Sequence, residues 1–204
     1  MTTAFCLWFY GPAGSGKSTL GRLITASILK GHPATQLLDE DEIAACVSAL
    51  RPVPSYLTET TARLAFFMTK LLMSHGITVV VASSAPPPDR QVGTWNDQTA
   101  NRPPMIAVAL ECPEDTRMAR LKIKAEPPVA DRGPELPVDE SIDIGNLNRS
   151  DLIIRTAEEW PDQSRDRILR GLETLGIITP HQGEGYTDEE KTVLEHQLQD
   201  LGYI

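Results

Sequence analysis

Residues 11–18 read GPAGSGKS, which places three glycines, a lysine and two serine hydroxyls within eight positions. The chemistry such a set can do is to hold an anion. Glycines permit backbone conformations closed to other residues, so successive N–H groups can converge on one phosphate. A helix starting near Lys17 adds the positive end of its dipole. Lys17 then neutralises the outer phosphates, and the Ser18 hydroxyl can ligate Mg²⁺. The spacing fits G-x-x-x-x-G-K-[ST] in full, between an apolar run and a helical pattern. A glycine turn that merely caps a helix is the plain alternative, and that context disfavours it. The expected ligand is ATP with Mg²⁺, held by Gly11, Ala13, Gly14, Ser15, Gly16, Lys17, Ser18 and Thr19.

Switches, motors and small-molecule kinases share this loop. A guanine-reading N-K-x-D is excluded, since no Asn-Lys pair occurs in the chain. A motor would usually carry a carboxylate closing the strand beside the loop, but ITVVVAS ends in Ser83 and Ser84. The acids sit instead in LLDEDEI, where Asp39 and Asp41 follow a strand and can lean into the crevice at its C-terminal end. One can hold a Mg²⁺-bound water and the other can take a proton from an attacking hydroxyl. Which does which stays open; Asp39 is taken for the metal and Asp41 for base and substrate. Acid preference in a helix's first turn explains part of the same cluster. Further on, Arg117, Arg120 and Lys124 fall at i, i+3 and i+7 after ECPED. Transfer spreads negative charge over the migrating phosphoryl group, and a cation on a lid stabilises it. Arg120 is expected to be catalytic, and Arg117 to serve ATP. Arg63 and Arg90 are substrate-binding candidates, weighed against structural salt bridges.

These residues need a scaffold. Five continuous apolar runs, 4–10, 35–39, 77–83, 105–111 and 151–156, read as buried parallel strands. Between them lie helical patterns. One follows Lys17 and ends by Gly31; another, Tyr56–His75, has Leu57, Leu64, Met68, Leu71 and Leu72 as its apolar stripe. A third runs from Glu114 to Ala125 and a fourth from Asp162 to Leu175. The alternation predicts an α/β, doubly wound five-stranded parallel sheet of phosphate-loop NTPase type. A kinase domain over 1–178 is expected, with a lid-like segment at about 113–148 that is rich in proline and acid. Residues 179–204 form an acidic tail, where a capping box at Thr187 and Glu190 starts a helix.

The chain has 204 residues and a net charge of −9, with a pI near 4.9. A broad nucleic-acid surface is therefore not expected. From His181 to Ile204 six acids face one base, so the tail holds much of the excess. No run approaches membrane length. The odd set Cys6, Cys46 and Cys112 lacks metal spacing; Cys6 and Cys112 read as buried strand thiols in a cytoplasmic protein. The four histidines read as helix-end or surface residues. The partner expected is a small-molecule substrate, and a homodimer is compatible with the sequence.

With these pieces assembled, the chain resembles the adenylylsulfate kinase family. GPAGSGKST is similar to that family's loop, LLDEDEI to its L-D-G-D-x-x-R, and GITVVVASSAPPPDR to its strand ending in S-P before an arginine. ECPEDTRMAR resembles its C-P-x-x-x-x-x-x-R helix, and PELPVDE its lid. The resemblance covers roughly 4–175 and implies a nucleoside-monophosphate-kinase type of sheet. It implies that Lys17, Ser18 and Arg120 serve ATP and that Asp39 and Asp41 take the metal and base roles. The implied reaction is phosphorylation of the 3′-hydroxyl of adenylylsulfate. Departures fall on the acceptor half. Ala44 stands where the family continues to arginine, and Leu57 and Thr60 replace an arginine and an asparagine, with Arg63 kept. The basic lid with its adenine-stacking phenylalanine is missing, and Trp95 is a candidate replacement. Alternatives are a kinase of another nucleotide-like or biosynthetic metabolite, and an ATP-binding regulatory protein without turnover.

Overall fold

The structure is a computed structural model that describes residues 4–48, 57–87, 105–125 and 151–179. The strands are β1 (Cys6–Tyr10), β2 (Thr35–Asp39), β3 (Thr78–Ser83), β4 (Met105–Glu111) and β5 (Leu152–Arg155). The helices are α1 (Lys17–Ile28), α2 (Glu40–Ser48), α3 (Leu57–Ser74), α4 (Glu114–Ala125) and α5 (Pro161–Thr174). All strand pairs are parallel, in the order β2-β3-β1-β4-β5. The central strand aligns Leu7 with Val80 on one side and Ile106 on the other.

Strand alternation divides the core into two layers. Phe5, Leu7 and Phe9 face α1 and α5, packing with Leu20, Ile24, Ile168 and Leu172. Cys6, Trp8 and Tyr10 face α2 and α3, packing with Ile43, Ala65, Phe66 and Met73. Both faces of the sheet are covered, which is why these strands read as unbroken apolar runs. Asp39 makes the turn from β2 into α2, its Oδ1 accepting the Asp41 N–H at 3.1 Å. Glu40, Asp41 and Glu42 fill the first turn of α2, where the dipole favours acids. At α5, Pro161 opens the helix and the Gln163 side chain accepts the Trp160 N–H at 2.9 Å.

Four expectations need correction. A helix over 40–48 was not among the predicted elements. The stripe on α3 holds in part: Met68 and Leu72 pack against the core, but Leu64 and Leu71 are exposed, as is Phe67, while Thr61, Ala62, Ala65, Phe66, Thr69 and Met73 are buried. Small residues there let the helix lie close to the sheet, and Thr69 donates its hydroxyl to the Ala65 carbonyl at 2.8 Å. Cys112 lies one residue beyond β4 and is half-buried, and Cys46 is exposed; of the three thiols only Cys6 is a core residue. His32 is a helix-end residue as read, just beyond α1, but it is buried rather than at the surface, its ring set edge-on to Phe5 at 5.5 Å between centroids.

Among the described residues no helix is long and apolar enough to cross a membrane. Within the lid-like segment, 114–125 form α4. The rest of that segment, Arg90, Trp95 and the acidic tail lie outside the described residues.

Candidate active site

Two glycines shape the loop between β1 and α1. Gly16, at φ 96°, caps α1, and Gly14 adopts φ 78°. Both are left-handed conformations that side chains disfavour. A Cβ on Gly14 would also lie 2.8 Å from the Arg117 carbonyl oxygen, so α4 approaches too closely for any larger residue.

The loop's carbonyls are taken by side chains. The Lys17 ammonium donates to the Gly11 oxygen at 2.9 Å and the Pro12 oxygen at 3.0 Å. Arg117 Nη1 donates to the Ala13 oxygen at 3.2 Å. Thr156 Oγ1, just past β5, donates to the Ser15 oxygen at 2.9 Å. In a trans peptide the C=O of one residue points opposite the N–H of the next. Tying the Ala13 and Ser15 carbonyls to Arg117 and Thr156 therefore aims the Gly14 and Gly16 N–H groups the other way, away from those two side chains. That is the arrangement an anion needs. Ser15 itself is buried, with its hydroxyl unpartnered among the described residues.

The arginines of α4 both face this region. Arg117 is half-buried over the loop. Arg120 donates through Nη2 to the Thr156 carbonyl at 2.7 Å, and through Nη1 to Thr156 Oγ1 at 3.2 Å and Cys112 Sγ at 3.6 Å. Arg120 is thus brought to the loop through Thr156. The Lys124 side chain lies outside the described residues.

On the far side of β3 stand the acids. Asp39 ends β2, level with Ala82 of β3. One strand, β3, separates β2 from β1, so Asp39 lies two strand spacings from the start of the loop, about 9.5 Å laterally. Asp39 is 4% and Glu40 7% exposed, whereas Asp41 on the first turn of α2 is exposed. Glu40 is fully engaged. Its Oε1 accepts the Thr61 hydroxyl at 2.7 Å, and its Oε2 accepts the Ser84 hydroxyl at 2.8 Å together with the Ser84 N–H. It thereby ties the start of α2 to α3 and to the exit of β3. Trp8 Nε1 donates to the Ala85 carbonyl at 2.9 Å, fixing the same exit to the central strand. Arg63 is exposed on α3, two positions from Thr61.

Among the described residues no group of three His, Cys, Asp or Glu could hold a metal by protein ligands alone. Mg²⁺ needs less: one or two protein oxygens, substrate phosphates and waters. Ser18 and Asp39 carry side-chain oxygens of the type such a site uses.

Sequence reading missed Glu40, Thr61, Trp8 and Thr156. Thr156 could have been found as a polar residue ending an apolar strand, where ligands of such sheets gather. Glu40 carries no comparable signal, because burial does not distinguish itself within DEDE.

A family model described as an AAA domain matches residues 7–141, more than half of the chain. An adenylyl-sulfate kinase of Myxococcus xanthus is 27% identical over 119 residues, covering 58% of this chain and 64% of the relative. One of Deinococcus deserti is 29% identical over 111 residues, covering 54% and 59%. A probable bifunctional SAT/APS kinase of Sorangium cellulosum is 26% identical over 183 residues, covering 89% and 30%. The chain thus spans less than two thirds of the length of the curated relatives it matches. Among solved structures, the Mycobacterium tuberculosis APS kinase in complex with AMPPNP and APS aligns at TM-score 0.59 and 20% identity, covering 85% of this chain and 99% of that one. Shikimate kinase of Acinetobacter baumannii in complex with shikimate aligns at 0.56 and 19%, covering 85% and 96%. At these identities the structures share the fold: an α/β phosphate-loop sheet with helices on both faces.

Proposed function

The chain belongs to the AAA domain family, and on that premise we propose that it is an ATP-dependent kinase of a small molecule. The γ-phosphoryl group passes to an acceptor hydroxyl, with adenylylsulfate as the first acceptor to consider. The products would be ADP and 3′-phosphoadenylylsulfate. One observation carries the reading. A loop whose Ala13 and Ser15 carbonyls are held by Arg117 and Thr156 is separated by one strand, β3, from the acids Asp39 and Asp41 at the end of β2. The curated adenylyl-sulfate kinases similar to this chain support the choice of reaction.

Each residue has a task in that reaction. Lys17 leaves the Gly11 and Pro12 carbonyls for the phosphate oxygens, and the loop N–H groups hold the β-phosphate. Asp41, exposed at the mouth of the crevice, takes the proton of the attacking hydroxyl. Asp39 and Ser18 would hold Mg²⁺, which neutralises charge on the phosphates when bound. Arg63 and Arg90 are the candidates for contacting the acceptor.

A second reading keeps the reaction and changes the acceptor. Glu40 stands where the adenylylsulfate kinase pattern has glycine, and it brings a buried carboxylate to the acceptor side. Ala44 stands where that pattern has arginine. It is 5% exposed, so no cation is supplied from that position. Both changes favour a less anionic acceptor.

The test is ADP formation from Mg-ATP with adenylylsulfate, and separately with sugars, cyclitols and nucleosides. Acceleration by adenylylsulfate, lowered about 10²–10⁴-fold by Asp41→Asn, is the outcome expected of the first reading. Acceleration by an uncharged polyol alone selects the second. No acceleration by any acceptor, with Asp41→Asn indistinguishable from wild type, overturns both and leaves a nucleotide-binding protein.

A further inference from the structure

We propose that Thr156 is a positioning residue for the triphosphate, and that Arg117 and Arg120 hold the nucleotide through the loop's backbone as well as by charge. This rests on the nucleotide site described above. The need for such a device follows from the glycines. Gly14 and Gly16 allow the loop to curl around an anion, but a peptide flanked by glycine can also rotate at little cost. Rotation of the unit joining Ser15 to Gly16 would swing the Gly16 N–H out of the nest and its carbonyl in. Something must hold that carbonyl.

Thr156 is built to do so. Its backbone N–H is fixed to the Glu111 carbonyl at 3.0 Å, and its own carbonyl receives Arg120 Nη2 at 2.7 Å. Arg120 Nη1 donates to the hydroxyl oxygen at 3.2 Å, which leaves the hydroxyl proton for acceptors. The shorter of its two contacts is Ser15 O at 2.9 Å, against 3.4 Å to Glu111 O. The contact is buried and joins residues 141 positions apart. Arg117 performs the parallel task one peptide earlier, at Ala13 O. Without Thr156 Oγ1 the buried Ser15 carbonyl loses this donor, and the adjacent Ser15 hydroxyl makes no bond of its own among the described residues. The cheapest way for that carbonyl to find another partner is the rotation that spoils the nest.

The test compares wild type, Thr156→Val and Thr156→Ser by calorimetry with two probes, Mg-ADP and inorganic tripolyphosphate. Valine keeps the volume and removes the hydroxyl; serine restores it. The expected result is a dissociation constant about tenfold higher for both probes in T156V, with T156S within about threefold of wild type. A merely structural threonine would lower the melting temperature of the unliganded protein and leave both constants unchanged; that result overturns the proposal. Weaker Mg-ADP with unchanged tripolyphosphate also overturns it, because Thr156 would then be reading the nucleoside. Wild-type protein that binds neither probe overturns the nucleotide site itself. Should T156V fold poorly, Thr156→Ala, which removes the same hydroxyl, is expected to weaken both probes by a similar factor, and unchanged constants in it overturn the proposal.

Discussion

Glu40 shows how much one residue can settle without touching a substrate. Its carboxylate, buried to 7% exposure, accepts from Ser84 twice and from Thr61 once. Glu40→Gln puts an amide N–H₂ among groups that are themselves donors, and Glu40→Ala leaves them all unmet. We expect the first to cost about 1–3 kcal/mol and the second at least as much, read as a lowered urea midpoint. An unchanged midpoint for Glu40→Ala would mean that the three donors find water instead. Which member of Asp39-Glu40-Asp41-Glu42 points inward was not legible in the sequence. Helix preference and catalytic need both call for acids there, and only the packing of α3 against β3 separates them. The phosphate loop was legible, because its spacing expresses backbone geometry that few other uses require.

At the scale of elements, strand and helix ends followed the apolar runs and the glycines closely. The departures were α2, too short for its period to stand out, and α3, whose fully buried positions are Thr61, Ala62, Ala65, Phe66, Thr69 and Met73 rather than leucines. The end of α1 carries a titratable consequence. His32 N–H donates to the Ile28 carbonyl at 2.8 Å, and its ring rests on Phe5. Burial lowers its pKa below the ordinary value near 6.5. Between that lowered value and 6.5 the unfolded chain binds a proton that the folded chain refuses, so stability rises with pH across the window. The contribution is complete above about pH 6.5 and is lost as pH falls. Urea midpoints of wild type should therefore drop below pH 6.5 more steeply than those of His32→Phe. Parallel curves would exclude His32 as the cause.

For the molecule as a whole, Cys6 offers a gauge of global opening. It lies on β1, the middle of five strands, and burial pushes its thiol far above the ordinary range. Cys46 is exposed and Cys112 half-buried. Alkylation of the native protein should modify Cys46 first, Cys112 more slowly, and Cys6 only at the rate of whole-domain unfolding. Labelling of Cys6 at the rate of Cys46 would show that the sheet opens locally. The doubly wound parallel sheet was readable because five buried apolar runs alternate with helices, whereas the strand order came only with the structure. The acceptor was not, because the candidates for contacting it, Arg63 and Arg90, lie 27 positions apart and share no spacing that encodes a ligand. The division of β1 between two layers has one more consequence. Its odd side chains fit one helix pair and its even ones the other, so the strand keeps count. Deleting Leu7 or Trp8 would hand the Phe9 ring to the space shaped for the Trp8 indole, or else pull Gly11 a step into the sheet. Substitutions there degrade the fold by degrees, while a change in length takes the core and the phosphate site together.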